Sequence, residues 1–189
     1  MKTIKVLLAA VALTWGLGVQ AQTVKVDASK STITWLGKKV TGEHTGTIDL
    51  KSGELKLDNG AIAGGEFIVD MTSIKNTDLT DAEWNGKLVG HLKSDDFFAV
   101  EKYPEAKLVI TKEAAFTGNK ATVTGDLTIK GATHPVTFDV TKDGKTYKAE
   151  ITVDRSKYNV RYGSQSFFDN LGDKVIYDDF YLTVNLVVE

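Results

Sequence analysis

Along most of this chain apolar and polar residues alternate with a period of two, and in one stretch only does the period become that of a helix. Ile33 and Trp35 share one face while Thr32 and Thr34 take the other, the pattern of a half-buried strand. Within Thr41 to Leu50, Ile48 and Leu50 are in phase, and Lys51-Ser52-Gly53 reads as a turn into Leu55 and Leu57. Asp58-Asn59-Gly60 is the strongest hairpin signal, because Asn-Gly readily takes the positive φ angles of a tight turn. Phe67, Val69 and Met71 alternate with Glu66, Ile68 and Asp70 and predict a strand over roughly 65–72. Strand patterns return at Leu108 and Ile110, at Val123, Leu127 and Ile129, at Val136, Phe138 and Val140, and at Tyr147, Ala149, Ile151 and Val153. After Asp178-Asp179, read as turn residues, Phe180, Leu182, Val184, Leu186 and Val188 alternate strictly.

The helical stretch interrupts these strands. Thr80 and Glu83 fit a capping box. Trp84, Leu88, His91 and Leu92 follow at helical spacing as one apolar stripe that includes the histidine. Ser94 and Asp95-Asp96 suit the helix end, Phe97-Phe98 suit a plug, and Tyr103-Pro104 closes the connection.

Eight or nine strands result, nearly all joined by short Gly/Asn/Asp turns, which makes neighbours antiparallel. Such an all-β chain hides its apolar face between two sheets or by closing on itself, and closure also removes the edge strands. With one helix available to cap an end, a closed barrel of about eight strands is expected. Strands of about ten residues span roughly 33 Å, tall enough to fill with side chains or to keep an elongated apolar cavity. Ile33, Trp35, Phe67, Val69, Leu108, Ile110, Leu127, Phe138, Ile151, Leu182 and Val184 are expected on the inward face, with Trp84 and Leu88 descending from the cap. A solid core accounts for part of that set equally well.

Composition narrows what such a barrel does. At 189 residues, 42% of them hydrophobic, the chain has room for one domain with a sizeable core. Residues 1–21 read as a secretory leader: Lys2 and Lys5 precede an apolar run from Val6 to Leu13, and Val19-Gln20-Ala21 is a small-x-small cleavage site. The apolar run, broken by Thr14, Gly16 and Gly18, falls short of the roughly 20 residues of a membrane span. Export to the periplasm and a single mature domain over residues 22–189 are therefore expected, with no integral membrane segment. Without Lys2 and Lys5 the 23 basic residues drop to 21 against 25 acidic ones, and no basic run is interleaved with aromatics, so nucleic acid is not an expected partner.

The absence of cysteine excludes disulfides, thiol catalysis and cysteine zinc sites. His44, His91 and His134 have no metal-ligand spacing, no serine stands in a nucleophile elbow, and no glycine-rich nucleotide motif is present. Neither metal nor cofactor is expected. His91 with Asp95 or Asp96 makes a candidate acid/base set; the plainer readings are a hydrogen-bonded core histidine and carboxylates that cap helix ends. A further reading puts the His91 ring at the barrel mouth against a ligand's polar end. Arg155 and Arg161, the only arginines, fall within one short segment, where a planar guanidinium suits a fixed pairing with a carboxylate or with a ligand phosphate.

Four ordered motifs run across the mature chain. They are His91-Leu92-Lys93-Ser94-Asp95-Asp96-Phe97-Phe98 with Tyr103-Pro104; Gly125-Asp126-Leu127-Thr128-Ile129-Lys130-Gly131 with Thr133-His134-Pro135-Val136; Asp154-Arg155-Ser156; and Leu171-Gly172-Asp173-Lys174-Val175. In these motifs the chain resembles the YceI-like family of exported bacterial proteins. Asn159 stands where the family pattern has glycine after the aromatic Tyr158, and asparagine tolerates a left-handed backbone.

The resemblance implies a lipocalin-like antiparallel barrel whose interior holds a polyisoprenoid, quinone or fatty-chain lipid through apolar wall residues rather than a catalytic motif. On that implication the lipid-binding set is the inward-facing residues above together with Trp84, Leu88, His91, Phe97 and Phe98. A noncatalytic carrier is the expected role. Ten buried methylenes at about 0.8 kcal/mol each supply roughly 8 kcal/mol before ordering costs. Two other readings stay open: a lipid-acting hydrolase or isomerase using His91 and Asp95 or Asp96, and a structural, stress-protective envelope protein with a filled core. A homodimer is compatible with all three.

Overall fold

The strands of the computed structural model, which describes residues 21–189, follow one another around a ring. In chain order they are β1 (Gln22–Lys25), β2 (Thr32–Lys39), β3 (Gly42–Asp58), β4 (Ala61–Asn76), helix α1 (Ala82–Lys93), β5 (Glu105–Ile110), β6 (Lys120–Ile129), β7 (Ala132–Asp143), β8 (Thr146–Asp154) and β9 (Ile176–Val187). The lateral order β3-β2-β9-β8-β7-β6-β5-β4 returns to β3 through the β3–β4 pairing, and every pairing is antiparallel. The fold is thus the expected lipocalin-like barrel of eight strands with one helix. The extra strand, β1, continues the lane of β2 along β3: Lys25 pairs with Glu54 and Ile33 with Ile48. Asp27 makes the break between them, its carboxylate accepting the backbone N–H groups of Ser29 and Lys30. The Lys30 ammonium at 2.6 Å and the Ser29 hydroxyl hold that carboxyl down to about 2. The expected leader lies, apart from Ala21, outside the described residues. No helix among them is long and apolar enough to cross a membrane.

Several local expectations are corrected by packing. Lys51-Ser52-Gly53 is not a turn but part of a bulge within the continuous strand β3, where Leu50 opposes Val69 and Ser52 opposes Ile68. Leu50 and Leu55 are an odd number of residues apart, yet both are buried, and the extra residue is what brings them onto one face. Gly53 serves a close approach, since a Cβ there would stand 2.8 Å from the Phe67 ring and 3.2 Å from Val26. At the start of α1, Asp81 rather than Thr80 is the cap and accepts the Trp84 N–H at 2.9 Å. Glu83 is drawn instead to Lys87, 2.6 Å away. Asp178 and Asp179 lie inside β9 rather than in a turn before it.

The Asn59-Gly60 hairpin forms as expected, with φ of 49° and 83°. The β6–β7 hairpin repeats this geometry at Lys130-Gly131, with φ of 51° and 76°, where the lysine gives no turn signal. The connections divide into two sets. Helix α1 with residues 94–104, the β6–β7 hairpin, residues 155–175 and the β2–β3 hairpin stand at one end of the barrel; the β3–β4 hairpin, residues 111–119 and the β7–β8 turn stand at the other.

Candidate functional site

Inward alternation from all sides leaves an apolar cavity of about 200 Å³ along the barrel. That exceeds the roughly 150 Å³ at which an apolar cavity stays dry and admits benzene. Along β9 its wall runs from Ile176 to Leu186, roughly 33 Å of strand. Phe138, Phe180 and Leu182 point inward yet are only partly buried, because part of their surface faces this void.

Of the expected set, Ile33, Trp35, Phe67, Val69, Leu108, Ile110, Leu127, Phe138, Ile151, Leu182 and Val184 line the cavity, joined by Phe97 and Phe98 at the helix end. Trp84, Leu88 and His91 do not. Helix α1 rests on the barrel through its last turns, with Leu92 buried and Leu88 half-buried against the core. Trp84, two turns before Leu92, therefore stands clear, 62% exposed, with the Lys87 ammonium 4.5 Å from its ring centre.

His91 meets aromatic edges rather than a hydrogen-bonding partner. Its ring lies edge-on to Tyr162 at 4.4 Å and to Phe97 at 5.7 Å, one layer behind the cavity wall. Among the described residues no hydrogen bond joins it to Asp95 or Asp96. Asp95 is exposed and pairs with Lys102 at 2.5 Å. The role of His91 at the helix end is carried by its backbone carbonyl, which accepts the N–H and hydroxyl of Ser94.

The Phe97-Phe98 plug is held by Lys130. Its ammonium donates to the carbonyls of Phe97 (2.7 Å), Asp95 (3.1 Å) and Asn159 (3.3 Å), joining the plug, the β6–β7 hairpin and the turn after β8. Burial pushes the Lys130 pKa below its ordinary value against the opposing pull of Asp95 and Asp96. Its place in the Gly125–Gly131 motif does not disclose this role, because its three acceptors are backbone atoms distant in the chain.

Arg155 organises the same end from the other side. Between Gly37–Phe180 and Lys39–Ile176 the β2–β9 register slips, and the β8–β9 ladder stops at Asp154–Asp179. The carbonyls of Ile176 and Tyr177 therefore lie beyond the end of the β8–β9 ladder and have no partner in β8. The guanidinium, 2% exposed, donates to both, at 2.9 and 3.1 Å, and to the Val160 carbonyl at 2.8 Å. The Asp178 carboxylate is 3.4 Å away, and the Phe97 ring centre 5.4 Å. Burial lowers the Arg155 pKa, while Asp178 and Asp154 oppose that shift. Of the two pairings considered for this arginine, the structural one is present. Arg161, by contrast, is exposed, bonded to the Asn159 side chain and stacked on Phe167 at 4.8 Å. Asn159 takes the left-handed conformation, φ 59°, that its position requires.

Two details make the wall apolar. The Trp35 indole N–H is satisfied by the Lys75 carbonyl at 3.1 Å, so only its hydrocarbon surface faces inward. Gly46 permits this: a Cβ there would lie 2.6 Å from the Trp35 ring. The half-exposed Tyr177, near the start of β9, also borders the cavity and reaches from it to the surface at the α1 end.

Comparison with known proteins follows this geometry. BcnA of Burkholderia cenocepacia superposes with a TM-score of 0.69 at 28% identity, over 87% of this chain and 99% of that one. A polyisoprenoid binding domain from Saccharophagus degradans superposes with a TM-score of 0.62 over 90% and 99%; at 16% identity the likeness is one of fold. A UPF0312 protein of Photorhabdus laumondii is 56% identical over 46 residues, 24% of this chain and 23% of that one. Another, from Shewanella denitrificans, is 34% identical over 84 residues, 44% and 41% of the two chains. The chain thus spans well under half the length of these curated relatives. A family model described as YceI-like domain matches residues 24–188, and on that match the chain belongs to the family of YceI-like domains.

Proposed function

We propose that this protein is a periplasmic carrier that holds a long apolar or amphiphilic lipid, of polyisoprenoid, quinone or fatty-chain type, inside the barrel without catalysis. The elongated apolar cavity carries this reading. Among the described residues its only charged wall residue is Arg155, whose N–H groups are turned to backbone carbonyls. A wall of this kind stabilises a chain through area removed from water, about 0.8 kcal/mol per methylene. It presents no acid/base pair to a bound lipid. Selection then rests on the length and width of the cavity, since one methylene more or less distinguishes ligands weakly. The fold shared with a polyisoprenoid binding domain supports the same ligand class, and the leader-like pattern of residues 1–21 supports export.

Native mass spectrometry and organic extraction of protein from the periplasmic fraction provide the test. The expected result is a chain beginning at Gln22 with a copurified long-chain lipid, or uptake of an offered isoprenoid accompanied by a rise in melting temperature. Absence of any lipid together with no uptake overturns the carrier reading.

A further inference from the structure

From the exposed rings clustered around Tyr177, which borders the cavity, we infer that the α1 end of the barrel docks on a lipid bilayer and that the cavity loads and unloads there by contact. The inference rests on the carrier reading. Of the eight exposed large apolar side chains among the described residues, only Tyr181 lies away from this end. Val40, Tyr162, Phe167, Phe168 and Tyr177 belong to one connected structure: the Val40 N–H donates to the Val175 carbonyl, and the Ile176 N–H to that of Gly163.

Their exposure is built in. Ser164 is fully buried, and its carbonyl accepts the N–H groups of both Phe167 and Phe168. The Ser166 hydroxyl donates to Asp178 at 2.6 Å. A phenylalanine pair anchored through Ser164 and Ser166 and left in water is a surface made to meet something apolar.

A bilayer is the occupant that fits. The patch reaches the cavity wall through Tyr177, so a lipid crossing there between membrane and barrel keeps its chain out of water. Its rings carry polar or cationic companions at their edges: Arg161 over Phe167, Lys87 over Trp84, and the phenol hydroxyls of Tyr162 and Tyr177. An apolar body with a polar or cationic tip is the chemistry of side chains at headgroup level, where the cations meet lipid phosphates.

The test combines vesicle flotation with lipid transfer, comparing the parent with the double variant Phe167→Ser, Phe168→Ser. The probes are phosphatidylcholine vesicles with and without phosphatidylglycerol, and a detergent-dispersed isoprenoid. The expected result is that the variant keeps the parent's melting temperature and its uptake of dispersed isoprenoid, but binds vesicles at least about tenfold more weakly and takes lipid from them correspondingly more slowly. Flotation and transfer equal to the parent's overturn docking while leaving the carrier reading intact. Docking is equally overturned if the parent is a stable dimer that these substitutions dissociate. If the parent takes up no dispersed isoprenoid, it is the carrier reading that fails.

Discussion

At the β3–β4 end of the barrel, Val26, Leu55, Ile62 and Ala114 are all buried, and backbone bridges tie Val26 to Val188 and Ile62 to Ala114. At the α1 end the barrel is closed by a plug, Phe97-Phe98, held by two cations whose donors reach six backbone carbonyls of scattered chain rather than by a continuous sheet. One end is a floor made of core. The other is a lid in which the buried Phe97, Phe98, Tyr158 and Val160 are tied down by polar clasps, with further rings turned outward beyond them. The difference shows how one barrel combines a stable interior with an entrance: hydrophobic packing closes permanently, whereas a few hydrogen bonds over an apolar plug leave a closure whose opening costs a small part of the total.

Breaking the clasp at Arg155 is expected to have the largest effect. Arg155→Ala leaves three carbonyls without their donor and the Asp178 carboxylate without its cation, and is expected to cost about 3–5 kcal/mol in urea unfolding. Arg155→Lys keeps the charge but loses the planar fork. Its loss of melting temperature should be the same with and without lipid, whereas a loss confined to the lipid-bound form would move Arg155 into the ligand site.

Next comes the floor. Ile62, 1% exposed, lines the cavity at its closed end. Ile62→Ala is expected to cost about 2–5 kcal/mol globally. If the cost is instead confined to faster hydrogen exchange near residue 62, the floor is no firmer than the lid and the contrast fails.

The smallest effect is expected at Lys130→Ala, about 1.5–3 kcal/mol for hydrogen bonds from a charged donor. Amide exchange across residues 94–104 should quicken while the β3–β4 hairpin stays protected. Equal quickening at both ends would show that the clasp is not local.

How much of this was legible follows from how far each signal reaches along the chain. Ile33 and Trp35, Phe67 and Val69, or Leu182 and Val184 declare an inward face because two neighbouring residues suffice to show the alternation. The same local rule misplaced Trp84, since a helical stripe shows which residues share a face but not how far along its length the helix touches its neighbour. It also misread Lys51-Ser52-Gly53, whose composition suits a turn while pairing with β4 demands a bulge.

The sequence by itself determined the strands, their antiparallel order through short turns, the position of the one helix and the plug, all of them consequences of patterns within a dozen residues. Tertiary structure alone decided that the ring leaves a void, that Arg155 and Lys130 clasp one end, and that Phe167 and Phe168 face water. These depend on contacts such as Arg155 with Ile176 or Lys130 with Phe97, in which backbone carbonyls from distant segments become acceptors only after the barrel has closed.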